Sequence, residues 1–210
     1  EALNLHAFNL TTLSGFYGVM FAYYALILSI AAAMWGSDII SKEERDKTVE
    51  FALTLPVTRS RVVTAKALAA LVNCIGLLLI TWGVTWINAR SYPPDPEFYA
   101  FLNFSMLGLF LLQLIFLCVG VFLGCAMKQY KRAGSAAVSL LLITYFFSII
   151  SGMHESLEFL KYFSPFKYFD AGTMFRETRI EMAYVWISLA IIVVSLAGAY
   201  LIYNRRDLYI

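Results

Sequence analysis

The chain has 210 residues, 60% of them hydrophobic and 14% charged, and carries a net charge of +2; its mean hydropathy is +0.72. Soluble domains run at about 25% charged residues, so a compact soluble fold of this size has nowhere to hide so much apolar surface. Disorder and a secreted disulfide scaffold are excluded, an ordinary cytosolic enzyme is disfavoured, and the composition is that of an integral membrane protein. A net charge this small makes no electrostatic case for nucleic acid. Cys74, Cys118 and Cys125 are odd in number and each lies inside an apolar run, the pattern of buried reduced thiols.

A helix crosses the hydrocarbon core with about 20 mainly apolar residues. Charge-free runs of that length are, in chain order, Phe16 to Trp35, Ala67 to Ile87, Phe104 to Met127, Ala133 to Gly152 and Met182 to Tyr203. With their flanks they predict spans over 16–40, 62–88, 100–127, 133–152 and 182–203. Lipid offers no hydrogen-bond partners, so each span must be a helix. The expected fold class is therefore an all-α integral membrane protein, with a single transmembrane domain over 1–210, a hairpin at 41–66 and a longer connection at 153–181.

The connections set an orientation. Lys42, Arg45, Lys47, Arg59, Arg61 and Lys66 lie between the first two spans, Lys128, Lys131 and Arg132 after the third, and Arg205 and Arg206 at the C-terminus. Arg90, Lys161, Lys167, Arg176 and Arg179 are the remaining basic residues. The positive-inside rule puts the first group in the cytoplasm, with the N-terminus of this stretch outside and the C-terminus inside. Glu1 to Asn9 has neither a basic nor an apolar region of a signal peptide, so one further span before Glu1 is expected, six in all. The external connections differ in kind. Pro93, Pro94 and Pro96 stiffen the first. The second interleaves Phe159, Tyr162, Phe163, Phe166, Tyr168 and Phe169 with charges, which suits short interfacial or re-entrant helices broken at Pro165.

No Asp, Glu, Lys or Arg lies inside the five runs. Ion-coupled transport relies on ionisable relays at membrane depth, so any transport here draws its energy from elsewhere. Asn73, Thr81 and Gln113 are polar groups within the spans, available for interhelical hydrogen bonds or as the lining of a cavity. Trp82 and Trp86, one turn apart, are either interfacial anchors or an aromatic wall of that cavity. Gly120 and Gly124 form a GxxxG, a mark of close helix packing. No catalytic residue is assigned, and no metal site: His154 with Glu155 and Glu158 lacks the paired histidines of HExxH. A phosphate-binding GxxxxGKS/T loop is absent too.

The segment from Ser41 to Lys66 is the richest in signal. Glu43 and Lys47 are spaced as an i,i+4 pair, and Val49 with Leu53 and Phe51 with Leu55 recur at helical spacing, continuing the first span beyond the membrane. Pro56 stops that helix, and Thr58 or Ser60 caps a second one leading through Lys66 into the next span. Val49, Phe51, Leu53, Leu55 and Val57, interleaved with charge, must fold back on the protein or dock into a partner.

The run Glu43 to Phe51, followed by Leu55-Pro56-Val57-Thr58-Arg59 and Lys66, resembles the cytoplasmic signature of type-two ABC transporter permeases, the membrane subunits of ATP-driven exporters. Tyr162 to Asp170 resembles the family's segment before its last span, and Arg205-Arg206-Asp207-Leu208 its C-terminal end. Many members have Gly before the Thr of the hairpin motif, where this chain has Lys47, which suits a continuous helix. The resemblance implies two permease copies in the bilayer, side by side around a translocation path in a bacterial cytoplasmic membrane. Each would rest its hairpin in a groove of a separate ATPase subunit, which would hold the ATP and Mg. It further implies an interface made by Glu50, Phe51, Leu55, Pro56, Val57, Thr58, Arg59 and Arg61, with the arginines at an acidic rim. The uncharged spans favour an amphipathic cargo such as a peptide, lipid or hydrophobic drug. The other classes compatible with the sequence are a non-transporting regulatory or immunity membrane protein and a membrane-embedded enzyme.

Overall fold

A computed structural model describes residues 11–46, 57–92, 97–127, 129–153, 155–177 and 181–205. Among these residues the protein is all-α. Helices α1 (Leu13–Arg45), α2 (Arg59–Ala89), α3 (Phe98–Ala126) and α4 (Tyr130–Ser151) follow one another. A 3-10 helix (Glu155–Phe163) and two short helices, α5 (Pro165–Tyr168) and α6 (Ala171–Glu177), then lead to α7 (Met182–Arg205). Five of these helices, α1 to α4 and α7, are long and apolar enough to cross a membrane. Helix α3 is the most enclosed, with 61% of its apolar window buried against 11% for α2, so α3 supplies most of the internal packing while α2 turns most of its surface outward.

Helix starts follow ordinary capping chemistry. The Thr12 hydroxyl accepts from Gly15 N–H at 3.1 Å and opens α1. The Asp170 carboxylate accepts from the Thr173 backbone N–H at 3.1 Å and its hydroxyl at 3.2 Å, opening α6. Pro165 is at the first position of α5, where its missing N–H removes no helical bond. It therefore divides the 3-10 helix from α5, the break expected there.

The chain forms two compact units, 1–28, 75–112 and 142–188 in the first and 29–74, 113–141 and 189–210 in the second. The first has an aromatic core. Tyr17 is 3% exposed. It meets Phe98 and Phe101 edge-on at 5.8 and 5.5 Å, and its hydroxyl lies 2.7 Å from that of Ser105. Phe101 in turn meets Phe175 of α6 at 5.0 Å, and Tyr145 of α4 meets Phe166 of α5 at 5.3 Å. The rings of the 153–181 connection divide: Phe159, Tyr162 and Phe163 are exposed, whereas Phe166, Tyr168 and Phe169 are buried. The Ser164 hydroxyl donates to the Thr144 carbonyl at 2.7 Å and fixes the connection to α4. Tyr168 donates to the Tyr162 carbonyl and stacks on Tyr184 at 5.0 Å. Burial, and secondarily the neighbouring Tyr184 phenol, pushes its hydroxyl up to about 12.

The second unit is built on small residues. Helices α1 and α3 run parallel in it, with Ala33 against Gly120 and Ser37 against Gly124. A side-chain carbon at Gly120 would fall 2.5 Å from the Ala33 carbonyl oxygen, and one at Gly124 would fall 2.9 Å from that of Ser37. The glycines of the GxxxG thus let one backbone touch another, as close helix packing in lipid requires. Ser37 turns its own hydroxyl back to the Ala33 and Met34 carbonyls at 2.9 and 3.1 Å, so the seam stays internally satisfied. Around it Ile40, Val63, Val121, Cys125, Ala199 and Tyr203 join α1, α2, α3 and α7 in one core. A second cluster unites Ala32, Ala70, Cys74 and Leu117. All three cysteines are buried thiols.

Candidate functional site

The hairpin between α1 and α2 is the candidate site. Glu50, Phe51, Leu55 and Pro56 lie outside the described residues, as does Lys47, so the structure places the two legs and not the tip. The first leg is the end of α1. Its 33 residues make a rod of about 50 Å, against about 30 Å of hydrocarbon. Asp38, Lys42, Glu43, Glu44 and Arg45 locate the excess at the hairpin end. Arg45 pairs with Asp38 and, at 3.2 Å, with Asp46 along this exposed surface.

The legs are fastened to each other. Lys66 of α2, with only 12% of its side chain exposed, pairs with the Glu43 carboxylate and donates to the Ile40 carbonyl at 3.2 Å. The described partner of Glu43 is thus a lysine on the opposite leg, across 23 residues of sequence.

The second leg begins where Thr58 caps α2, its carbonyl accepting from Val62 N–H at 3.2 Å and its hydroxyl from Arg61 N–H at 3.4 Å. Ser60, the alternative cap, is engaged elsewhere and exchanges hydrogen bonds with Asn204 of α7 at 3.1 to 3.2 Å. The Thr64 and Tyr200 hydroxyls meet at 2.7 Å, and Arg59 donates to the Tyr203 carbonyl at 3.4 Å. These three contacts bind the start of α2 to the last turns of α7. Sequence reasoning gave Arg59 and Arg61 one shared role, and the structure separates them. Arg59 is half-buried and turned inward, whereas Arg61 is exposed and its guanidinium meets no partner among the described residues. Val57 and Thr58 beside it are also exposed. Asn204 and Tyr200 were not singled out beforehand, and the contacts that Glu43, Ser60 and Lys66 make here were not foreseen, because each depends on a partner from another helix.

The candidate cavity residues have different surroundings. Thr81 spends its hydroxyl on the Leu77 carbonyl of its own helix at 2.9 Å. Trp82 and Trp86 stack at 6.4 Å with 22° between planes, and the Trp82 indole N–H donates to Asn103 at 2.9 Å. These three belong to the first unit, Asn73 and Gln113 to the second. Asn73 is exposed on α2. Gln113 is fully buried, and neither end of its amide has a hydrogen-bond partner among the described residues. An unpaired buried amide costs roughly 2 kcal/mol or more. Among the described residues no cluster of His, Cys, Asp and Glu is arranged to hold a metal ion.

No curated protein matches the chain. The family described as ABC-2 family transporter protein matches residues 4–208, nearly the whole chain and both legs of the hairpin, and this membrane protein of five long apolar helices belongs to that family of ABC transporter permeases.

Proposed function

We propose that the protein is the membrane subunit of an ATP-driven exporter. In this reading it lines a translocation path with a second copy and is driven through the 41–66 hairpin by a separate cytoplasmic ATPase. The observation that carries the reading is the double fastening of the hairpin legs. Lys66 locks the second leg to α1 through Glu43 and Ile40, while Arg59, Ser60 and Thr64 lock it to α7. A push on the tip is then delivered to two membrane helices together instead of being lost in a loose loop. Val57, Thr58 and Arg61, exposed at the head of α2, are the described groups left to grip the ATPase, and Glu50, Phe51, Leu55 and Pro56 would complete that surface. Arg59 is a clamp within the subunit.

The experiment is co-purification of the tagged permease with its ATPase, followed by hydrolysis and transport assays in proteoliposomes. Arg61→Ala should weaken retention of the ATPase, since losing an interfacial arginine commonly costs about 2 kcal/mol. Arg59→Ala should retain the ATPase but hydrolyse ATP with little transport. Loss of the complex by neither variant, with transport intact in both, overturns the assignment.

For the path itself, Gln113 offers a buried amide that no neighbour among the described residues satisfies. An amphipathic cargo would supply the missing partners as it passes. Gln113→Leu should therefore raise stability by about 1 to 2 kcal/mol while reducing transport. Unchanged transport removes Gln113 from the path.

A further inference from the structure

The C-terminal end of α2 carries an arrangement that the transport reading does not use. The Arg90 guanidinium carbon lies 3.6 Å from the centre of the Trp86 ring. Trp86 stacks on Trp82, and Trp82 is held by its indole N–H to Asn103 of α3. The sequence Arg90, Trp86, Trp82, Asn103 is thus a ladder that fixes a cation in one plane at the edge of a membrane-spanning helix.

Three observations define what the ladder offers. Arg90 is exposed and forms no ion pair among the described residues. The cation is not needed to close the helix either: Arg90, Ser91 and Tyr92 backbone N–H groups bond the Ile87, Asn88 and Ala89 carbonyls at 3.1 to 3.2 Å, and the Asn88 side chain takes the Val84 carbonyl at 2.8 Å. A second ring-bound cation of this unit differs, since Lys161 spends its charge on Glu158 at 2.6 Å. A guanidinium seated over an indole leaves N–H groups free, and their fork matches the paired oxygens of a phosphate. Tryptophan pairs sit at headgroup depth, the level at which lipid phosphates are found.

We propose that Arg90, held on the Trp86–Trp82 stack, is a binding site for the phosphate of an anionic phospholipid. The lipid would lie along the outward-facing surface of α2, with its chains over Leu79 and Ile87, both exposed and on the side of the helix that carries Trp86 and Arg90, and its phosphate on the guanidinium fork.

The test places the purified permease, with Trp35 and Trp186 replaced by Phe so that emission comes from Trp82 and Trp86, in bilayers of zwitterionic phosphatidylcholine. Phosphatidylglycerol or phosphatidylcholine carrying brominated chains is added in increasing mole fraction, and tryptophan quenching gives their relative affinity. Phosphatidylglycerol should quench preferentially. Arg90→Gln should lower the preference about fivefold, the worth of one basic residue at an anionic surface, with helicity unchanged. Arg90→Lys, which keeps the charge and loses the stacked fork, should fall between the two. Full preference in Arg90→Lys shows that charge alone suffices and overturns the site, as does equal quenching of Arg90→Gln and its parent. Competition by inorganic phosphate at millimolar concentration overturns the lipid assignment in favour of a soluble anion.

Discussion

The two units solve the same problem by opposite means. One fills its interior with rings, Tyr17, Phe98, Phe101, Phe166 and Phe169, and the other removes side chains until α1 and α3 touch backbone to backbone at Gly120 and Gly124. In water both would profit from burying apolar area, but lipid is as apolar as a core and leaves only packing and polar contacts to hold helices together. A ring taken from the aromatic unit leaves a gap that neighbouring rings or a lipid chain can enter. A carbon added to the glycine seam has nowhere to go, because what it strikes is main chain.

That contrast gives an inverted expectation for mutagenesis. Gly120→Ala should be the most damaging change, costing about 3 kcal/mol, the upper end for overpacking, as read by denaturant unfolding in detergent. Phe101→Ala, which deletes a whole buried ring, should cost less, about 1.5 kcal/mol, because only the packing and cavity part of the usual loss applies in lipid. If the ring deletion proves worse than the added methyl, the two units do not differ in the way described. The smallest effect sharpens the picture: Tyr17→Phe breaks only the bond to Ser105 and should cost about 0.6 kcal/mol, the mean for a hydrogen bond between membrane helices.

How far this was legible in the sequence follows from how far apart the partners are. Charge-free runs gave the five long helices because lipid imposes helicity on each run by itself. The GxxxG pointed to close packing for the same local reason, and Thr58 as a cap needed only the residues just after it. The contact of Glu43 with Lys66 was not legible, because Lys66 lies on the other leg. Nor was the split between Arg59 and Arg61, which turns on the distant Tyr203 carbonyl. Spacing alone places Trp82, Trp86 and Arg90 one turn apart, but Asn103, which ties this ladder to α3, could not be read from spacing. Of the candidate ATPase-gripping residues, Glu50, Phe51, Leu55 and Pro56 remain readings of the sequence.

The parallel seam also has an electrostatic side. Two helices pointing the same way turn their C-terminal ends to the same side, each with about half a negative charge from its unpaired carbonyls. With Ser37 level with Gly124, the α1 end at Arg45 lies about 9 Å beyond the α3 end at Ala126, so the main chain presents two separate partial charges there. Lys42 and Arg45 occupy the last turn of α1, and Lys131 and Arg132 follow α3 within a few residues. The basic residues from which an orientation is read thus also lie where they offset the partial charges of the backbone. Neutralising them would do more than weaken a topology signal: it would leave both helix ends without a nearby counterion.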